Sequence, residues 1–394
     1  MIMSLTGDLP GVSLLPDQTA DRGRVLTASL APPRLSLAKK AYTTRFLAQR
    51  LEQSRDGYFL RHGDGVRPGS GDIVLARVLR LGQHPRLESP GSRRQALYVG
   101  DEVLVAYGHR YAPDQFLAQV PDNLGSCHLI AAGGVAGLVT DQHALMGQPT
   151  QLAPVGLLAD HEGVLNLAHL APHSWDAAET HAAPEPATTG RPHVVAVLGT
   201  SMNSGKSTAL SCLVKGLTRA GLVVAAGKVT GTGSGNDPGM FTDAGAVQVL
   251  DFTDFGFSTT FQLDHGRVRG MFSSLVAALT GPATDVAVIE IADGVYQEET
   301  RRLLLDPLFR TVVDRVIFAA TDALGAIAGL QAIRSANMDV AAVSGVLTSS
   351  PLAAREFAAA SDVPVVSTSS LCEPAVALSL LLPLTAPDPV AASQ

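Results

Sequence analysis

Residues 194–208 read Val194-Val195-Ala196-Val197-Leu198-Gly199-Thr200-Ser201-Met202-Asn203-Ser204-Gly205-Lys206-Ser207-Thr208. An unbroken apolar run followed by a glycine-bounded polar loop that ends in Gly-Lys-Ser is a buried strand feeding a phosphate-binding turn. Downstream, Leu210, Leu213, Val214 and Leu217 recur at helical spacing, so a helix starts at the loop and turns its N-terminus toward the anion. A helix cap with an incidental lysine gives the same Gly-Lys-Ser string, but it does not require the strand before it. Gly199, Thr200, Asn203, Ser204, Gly205, Lys206, Ser207 and Thr208 are therefore expected to cradle a nucleoside triphosphate. Lys206 would reach the terminal phosphates and the Ser207 hydroxyl would sit on Mg2+. Gly199 and Gly205 enclose five residues, one more than the common loop of this kind.

The chain around this loop has 394 residues, 46% of them apolar, enough for two or three domains each with its own core. A net charge of −7 gives no electrostatic reason to expect nucleic acid or a membrane surface as partner. Cys127, Cys212 and Cys372 are odd in number and far apart, which suggests neither a disulfide framework nor a zinc site. Apolar stretches such as Val376–Leu384 are too short to span a bilayer, and no basic segment leads into an apolar one near the first residue. A cytoplasmic setting is the expectation.

Along the chain, residues 1–65 read as an N-terminal segment with a helix over Leu35–Gln53. Residues 66–172 read as a small β-rich domain, a barrel or a sandwich. Its runs Ile73–Val78, Ala96–Val99 and Val103–Tyr107 are short and separated by Gly and Asp. Residues 173–192, rich in Ala, Pro, Thr and His, read as a linker, residues 193–383 as a P-loop domain and 384–394 as a tail. In the P-loop region strand candidates alternate with helices, which calls for an α/β fold built on a parallel sheet. The strand candidates are Val194–Leu198, Val223–Ala226, Val286–Ile291, Arg315–Ala320, Val340–Leu347 and Val363–Ser367; helices are expected at Leu324–Ser335 and Pro351–Ala360. Ligands of such sheets sit at the carboxyl ends of the strands.

Phosphoryl transfer needs metal ligands and cations placed on the moving charge. Asp285-Val-Ala-Val-Ile-Glu290 is an apolar strand ending in an acid, with Asp293 just beyond, so Glu290 is a Mg2+ ligand candidate. Ala225–Gly235 places Lys228 after another strand and follows it with a Gly/Thr/Ser loop, which fits either a second anion cradle or a flexible solvent loop. In the β-rich domain Arg77, Arg80, Arg86, Arg93, Arg94 and Arg110 gather in sequence with His84, His109, Tyr107 and Tyr111, as an anion site or as a solvated face. The loop Tyr107–Gln115 is the densest polar and aromatic stretch there, a candidate for substrate or interdomain contact.

These motifs, in their order, resemble dethiobiotin synthetase and the P-loop amidoligases that act on cobyrinic acid; the resemblance covers roughly residues 193–383. Gly199-Thr200 with Gly205-Lys206-Ser207 is similar to that family's phosphate loop, and Lys228 with Thr230 and Gly231 to its Lys-Pro-Val loop. Thr242-Asp243-Ala244 resembles its Ser-Asp-Ala, which implies that Asp243 binds Mg2+ beside Glu290 and Ser207. Leu324-Gly325-Ala326-Ile327 resembles its Leu-Gly-x-Ile-Asn helix start, and Gly345-Val-Leu-Thr348 its Gly-Val-x-Asn strand, which implies that Thr348 lies near the base. Ser201, Ile291, Ala292, Ala328 and Thr348 replace residues that the family uses at the loop, at the acid, near the substrate and on the base. The β-rich domain has no counterpart in dethiobiotin synthetase. A looser similarity is to GTP-binding proteins of molybdopterin dinucleotide synthesis.

The expectation is thus an enzyme using Mg2+ and ATP, or GTP, to phosphorylate a small-molecule carboxylate to an acyl phosphate, which an amine then captures, as in a ligase. Lys206, Lys228 and Asp293 would be its catalytic residues and a homodimer its expected state. A GTP-dependent hydrolase acting as a switch or cofactor-synthesis chaperone, or a P-loop scaffold for another group transfer, remains the alternative.

Overall fold

The alternation of strand and helix beyond residue 192 becomes, in the computed structural model, one six-stranded sheet whose strands all run parallel. The structure describes residues 23–53, 57–175 and 191–381. Across the sheet the strands run Gln248–Asp251, Val224–Lys228, Val286–Glu290, His193–Gly199, Arg315–Ala319 and Val340–Ser344. The phosphate-loop strand thus lies in the interior of the sheet, beside the strand that ends in Glu290. Side chains alternate between two faces, as the pleat requires. Val195 and Val197 pack with Leu210, Leu213 and Leu217 of the following helix, whereas Val194, Ala196 and Leu198 join Phe272, Phe309 and Phe318 on the opposite face. Fully burying side chains of this size contributes about 1.5–3 kcal/mol each, so the sheet end that carries the loops is held rigidly from both sides.

One expected strand is absent and one unexpected strand is present. Val363–Ser367 forms no ladder; only Val365 bridges Val343. Gln248–Asp251, too short to announce itself by periodicity, supplies the edge strand instead.

The N-terminal sheet has ten strands, and five of them close a ring. Thr150–Ala159 pairs with Ile73–Arg80, then Glu102–Tyr107, Val135–Gln142 and Cys127–Ala131, which returns to Thr150–Ala159. The β-rich region is therefore a barrel. Val74, Ala76 and Val78 fill its interior with Val103, Val105, Tyr107 and Leu129, and Ile73 and Leu75 point outward under Leu35 and Leu47. That outer cover corrects the expected boundary at residue 65. Leu26–Leu30 and Tyr58–His62 extend the barrel sheet, and the single helix expected over Leu35–Gln53 is two, Pro32–Leu37 and Arg45–Gln53, separated by a short strand at Lys39–Lys40. Most of the expected linker, residues 176–190, and the expected tail at 384–394 lie outside the described residues.

The barrel sits on the sheet domain through polar contacts. The Tyr42 hydroxyl donates to Asp251 at 2.9 Å, and Arg45 donates to Thr253 at 2.7 Å and to Asp254 at 2.6 Å. Glu88 accepts from the Gly235 N–H at 2.9 Å and from the Ser234 hydroxyl. At Gly133 backbone approaches backbone, since a Cβ there would lie 2.0 Å from the Gly233 carbonyl oxygen.

Candidate active site

The phosphate loop leaves its strand at Gly199 and enters the helix Lys206–Arg219 through Gly205, whose φ of 94° is left-handed and favours glycine. This turn aims the helix N-terminus, and the N–H groups that have no partner within the helix, at the space above the sheet. Lys206 is buried and folds back so that its Nζ donates to the Ser201 carbonyl at 2.7 Å. Burial pulls its pKa down, against the pull of the Glu290 and Asp293 carboxylates.

A second cluster stands beside it. Lys228, at the end of the neighbouring strand, lies between Asp237 and Glu290, hydrogen-bonded to the first and 3.2 Å from the Oε1 of the second. Burial works against the charge on Lys228, but the two carboxylates outweigh it and hold the pKa above the usual lysine value. Burial also opposes ionisation of Asp237; Lys228, with the Asn236 and Ser207 side chains, still brings its pKa below the usual range. Asp293 shows the reverse: burial and Glu290 raise its pKa, and Lys206, Lys228 and Arg110 only partly compensate.

One cleft of about 560 Å3 joins these groups. Of the residues nominated from the sequence, Asn203, Gly205, Lys206, Ser207, Thr208, Lys228, Glu290 and Asp293 line it. Gly199, Thr200 and Ser204 lie beneath as the floor of the loop. Asp243 is not in the cleft. It is exposed near the C-terminal end of the helix Asn236–Ala244, whereas Asp237, in the first turn of that helix, lines the cleft. Six residues of helix carry a side chain about 9 Å along the axis and more than half-way round it, so both acids cannot face one site. The acid in Asn236-Asp237-Pro238 carries no pattern that marks it in advance; only its position at the start of a helix next to Lys228 does. Thr348 is likewise outside the cleft. Its hydroxyl donates to the Gly345 carbonyl at 2.8 Å and braces the turn, and Val346 is the residue of that turn that lines the cleft.

The segment after Lys228 is neither an open cradle nor a free loop. Gly231 N–H donates to the Thr260 hydroxyl, Gly233 N–H to the Ser258 carbonyl and Gly235 N–H to Glu88, each at 2.9 Å. The first two bonds tie the loop to Thr260 and Ser258 of its own domain, and the third ties it to the barrel.

The barrel supplies the opposite wall. Arg110, Tyr111, Ala112 and Gln115, from the polar and aromatic loop singled out in the sequence, line the cleft together with His84. Asp114 of the same loop accepts from the Asn203 side chain at 2.7 Å, a direct bridge from barrel to phosphate loop. The other nominated arginines divide differently. Arg80, Arg86, Arg93 and Arg94 are exposed and Arg77 pairs with Glu102, which is the solvated face.

Three polar atoms around the loop are buried without a partner: Thr200 Oγ1, Ser204 Oγ and Glu290 Oε2. Among the described residues no group of three or more His, Cys, Asp or Glu side chains is arranged to hold a metal. Two carboxylates and a serine hydroxyl fit Mg2+, which commonly takes one or two protein carboxylates and completes its shell with phosphates and water. Among the described residues no helix is long and apolar enough to cross a membrane.

No family model matches the chain, and no curated protein does. Solved structures similar to part of it include the signal recognition particle receptor FtsY from Elizabethkingia anophelis, 16% identical with a TM-score of 0.34 over 51% of this chain and 69% of that one. Another is the signal recognition particle 54 kDa protein from Aeropyrum pernix K1 in complex with GDP, 15% identical with a TM-score of 0.30 over 55% of this chain and 50% of that one. A third is the cell division protein FtsY from Thermotoga maritima, 13% identical with a TM-score of 0.32 over 55% and 75%. Likeness at this level assigns no activity. The strand, loop and helix around Lys206 are those of a P-loop nucleotide-binding fold on their own geometry.

Proposed function

We propose that this chain is a Mg2+-dependent P-loop enzyme that binds a nucleoside triphosphate on Lys206 and the helix N-terminus and passes its terminal phosphoryl group to a small-molecule carboxylate in the cleft. The observation that carries the reading is the joining of the loop lysine, the Asp237–Lys228–Glu290 cluster and the barrel residue Arg110 in one cleft. A loop that only held a nucleotide would not need a second charged cluster beside it and a buried arginine across from it.

In this reading the N–H groups of the loop and Lys206 take the phosphates, replacing the Ser201 carbonyl as partner of the Nζ. Ser207, Asp237 and Glu290 hold Mg2+, which when bound neutralises charge on the phosphates. The unpartnered Oε2 of Glu290, a residue that lines the cleft, gains a partner, relieving a cost of about 1–3 kcal/mol for a buried unsatisfied group. Lys228 balances the charge that grows as the phosphoryl group moves. A carboxylate oxygen of the acceptor bonds to the γ-phosphorus while the bond to the bridging oxygen breaks, releasing nucleoside diphosphate and leaving an acyl phosphate. Asp293 orients the acceptor.

A second reading, a GTP-dependent switch, draws on the Asn203–Asp114 bridge, through which the barrel would sense the state of the loop. One experiment separates the two. Turnover of ATP and of GTP is measured with and without a panel of carboxylates, with hydroxylamine present to trap acyl phosphate as hydroxamate. Carboxylate-stimulated turnover with hydroxamate supports transfer; slow GTP hydrolysis that no carboxylate stimulates supports the switch, and no turnover of either nucleotide removes both.

A further inference from the structure

We propose that Arg110 anchors an anionic group of the acceptor, a carboxylate apart from the reacting one, on the barrel wall of the cleft. The proposal rests on the transfer reading above and names the acceptor as at least a dicarboxylate.

Arg110 is only 5% exposed, yet among the described residues it makes no ion pair. Its partners are neutral: the Ile130 carbonyl, the Gln115 side-chain oxygen at 2.9 Å and the His84 Nε2 at 3.4 Å. These orient the guanidinium without neutralising it, and its Nε, also buried, has no partner. A buried charge left in this state costs several kcal/mol unless something pairs with it. His84 does not relieve the excess positive charge, nor does it add to it, because burial and the neighbouring Arg110 push its pKa down to about 4 and keep it neutral. Its ring stacks edge-on against Phe116, and its Nε2 lies 3.1 Å from the same Ile130 carbonyl. The guanidinium is therefore held in a fixed orientation, and a planar fork of donors in that state matches a carboxylate.

Its place in the cleft is on the barrel wall with Tyr111, Ala112 and Gln115, and the same cleft is lined by Lys206, Lys228 and Asp293 of the sheet domain. Arg110 and Asp293 line the same cleft and form no ion pair with one another. An acceptor that spans the cleft would place one carboxylate on Arg110 and its other end beside Asp293, facing the phosphates.

The test is a calorimetric titration of the chain saturated with Mg2+ and a non-hydrolysable triphosphate analogue. The probes are the straight-chain dicarboxylates from malonate to adipate and their uncharged diamides. At least one dicarboxylate should bind, and its diamide should not. Arg110→Gln should weaken that binding about ten- to hundredfold, the usual loss for a charged hydrogen bond, and well beyond any change in affinity for the analogue; Arg110→Lys should lose less. Dicarboxylates that bind no better than diamides, or that bind Arg110→Gln as tightly as the parent, overturn the proposal. If circular dichroism shows Arg110→Gln unfolded, Gln115→Ala carries the test, because it removes an orienting partner and keeps the charge. Several-fold weaker binding supports the subsite, and unchanged binding overturns it. Failure of the parent chain to bind the analogue, seen before any dicarboxylate is added, overturns the transfer reading as well.

Discussion

Lys206 and Lys228 are both buried cations in one cleft, and what surrounds each decides its role. Lys206 is held by a carbonyl that a phosphate can replace, so Lys206→Ala should abolish nucleotide turnover while circular dichroism and the melting temperature stay near those of the parent. Normal turnover in that variant would remove the basis for a nucleotide site. Lys228 is already balanced by Asp237 and Glu290, which makes these acids one unit. Asp237→Asn and Glu290→Gln should each raise the Mg2+ concentration needed for half-maximal turnover, the double variant being no worse than the poorer single one. Asp243→Asn, at an exposed position, should change nothing; a Mg2+ titration in which Asp243 matters and Asp237 does not would move the metal site to the other end of the helix. His84 provides a pH test with a definite sign. Its pKa in the folded chain, about 4, is below the unfolded value of about 6.5. The unfolded chain therefore binds the proton first as pH falls. The stability is present above about pH 6.5 and is lost progressively toward pH 4, by at most about 3 kcal/mol. Thermal melts of the parent between pH 7 and 4 should fall more steeply than those of His84→Gln, and parallel curves would show that the ring is not kept neutral by its surroundings.

At the scale of elements, the phosphate loop is where sequence and structure meet best. The run Val194–Leu198 and the helical spacing from Leu210 to Leu217 are strong periodic signals, and both elements stand where they were expected. The helices at Leu324–Ser335 and Pro351–Ala360 were legible for the same reason. Gln248–Asp251 was not, because four residues at a sheet edge show no period, and Val363–Ser367 misled because an apolar run beside a sheet need not pair along its length. Asp237 was hidden for another reason: which helical position faces a site depends on how the helix is docked, and a motif resemblance at Thr242-Asp243-Ala244 pointed one and a half turns too far. The barrel loop around Arg110 was visible as a polar and aromatic stretch, but its partner across the cleft is remote in sequence and only tertiary packing brings them together. The loop's geometry is testable through Gly205, whose left-handed backbone costs an L-residue about 1–2 kcal/mol. A Cβ there would also lie 3.1 Å from the Gly345 Cα. Gly205→Ala should therefore lower the unfolding free energy by about 1–3 kcal/mol in urea and weaken nucleotide binding, and a variant as stable as the parent would show that the loop enters its helix by another path.

Across the whole molecule, the nucleotide loop belongs to the parallel sheet alone and the opposite wall of the cleft belongs to the barrel, so their separation sets what the cleft can do. The contact that fixes it most tightly is the approach of Gly133 to Gly233, where a Cβ would meet backbone at 2.0 Å with no flexible side chain to yield. Gly133→Ala should thus shift the barrel away from the sheet domain, straining the bonds from Glu88 to Ser234 and Gly235. If the cleft transfers a phosphoryl group to an acceptor held between the walls, a displacement of about 1 Å costs roughly 10²-fold in rate. Nucleotide affinity, set by the sheet domain, should move far less. Gly91→Ala serves as the control, since a Cβ there meets nothing within 4 Å. We would measure analogue affinity and carboxylate-stimulated turnover for both variants. A loss confined to stimulated turnover in Gly133→Ala, with Gly91→Ala like the parent, is the expected result. Equal losses in affinity and turnover would mean that the barrel helps to hold the nucleotide itself, and no loss in either would mean that the two walls do not work on one acceptor.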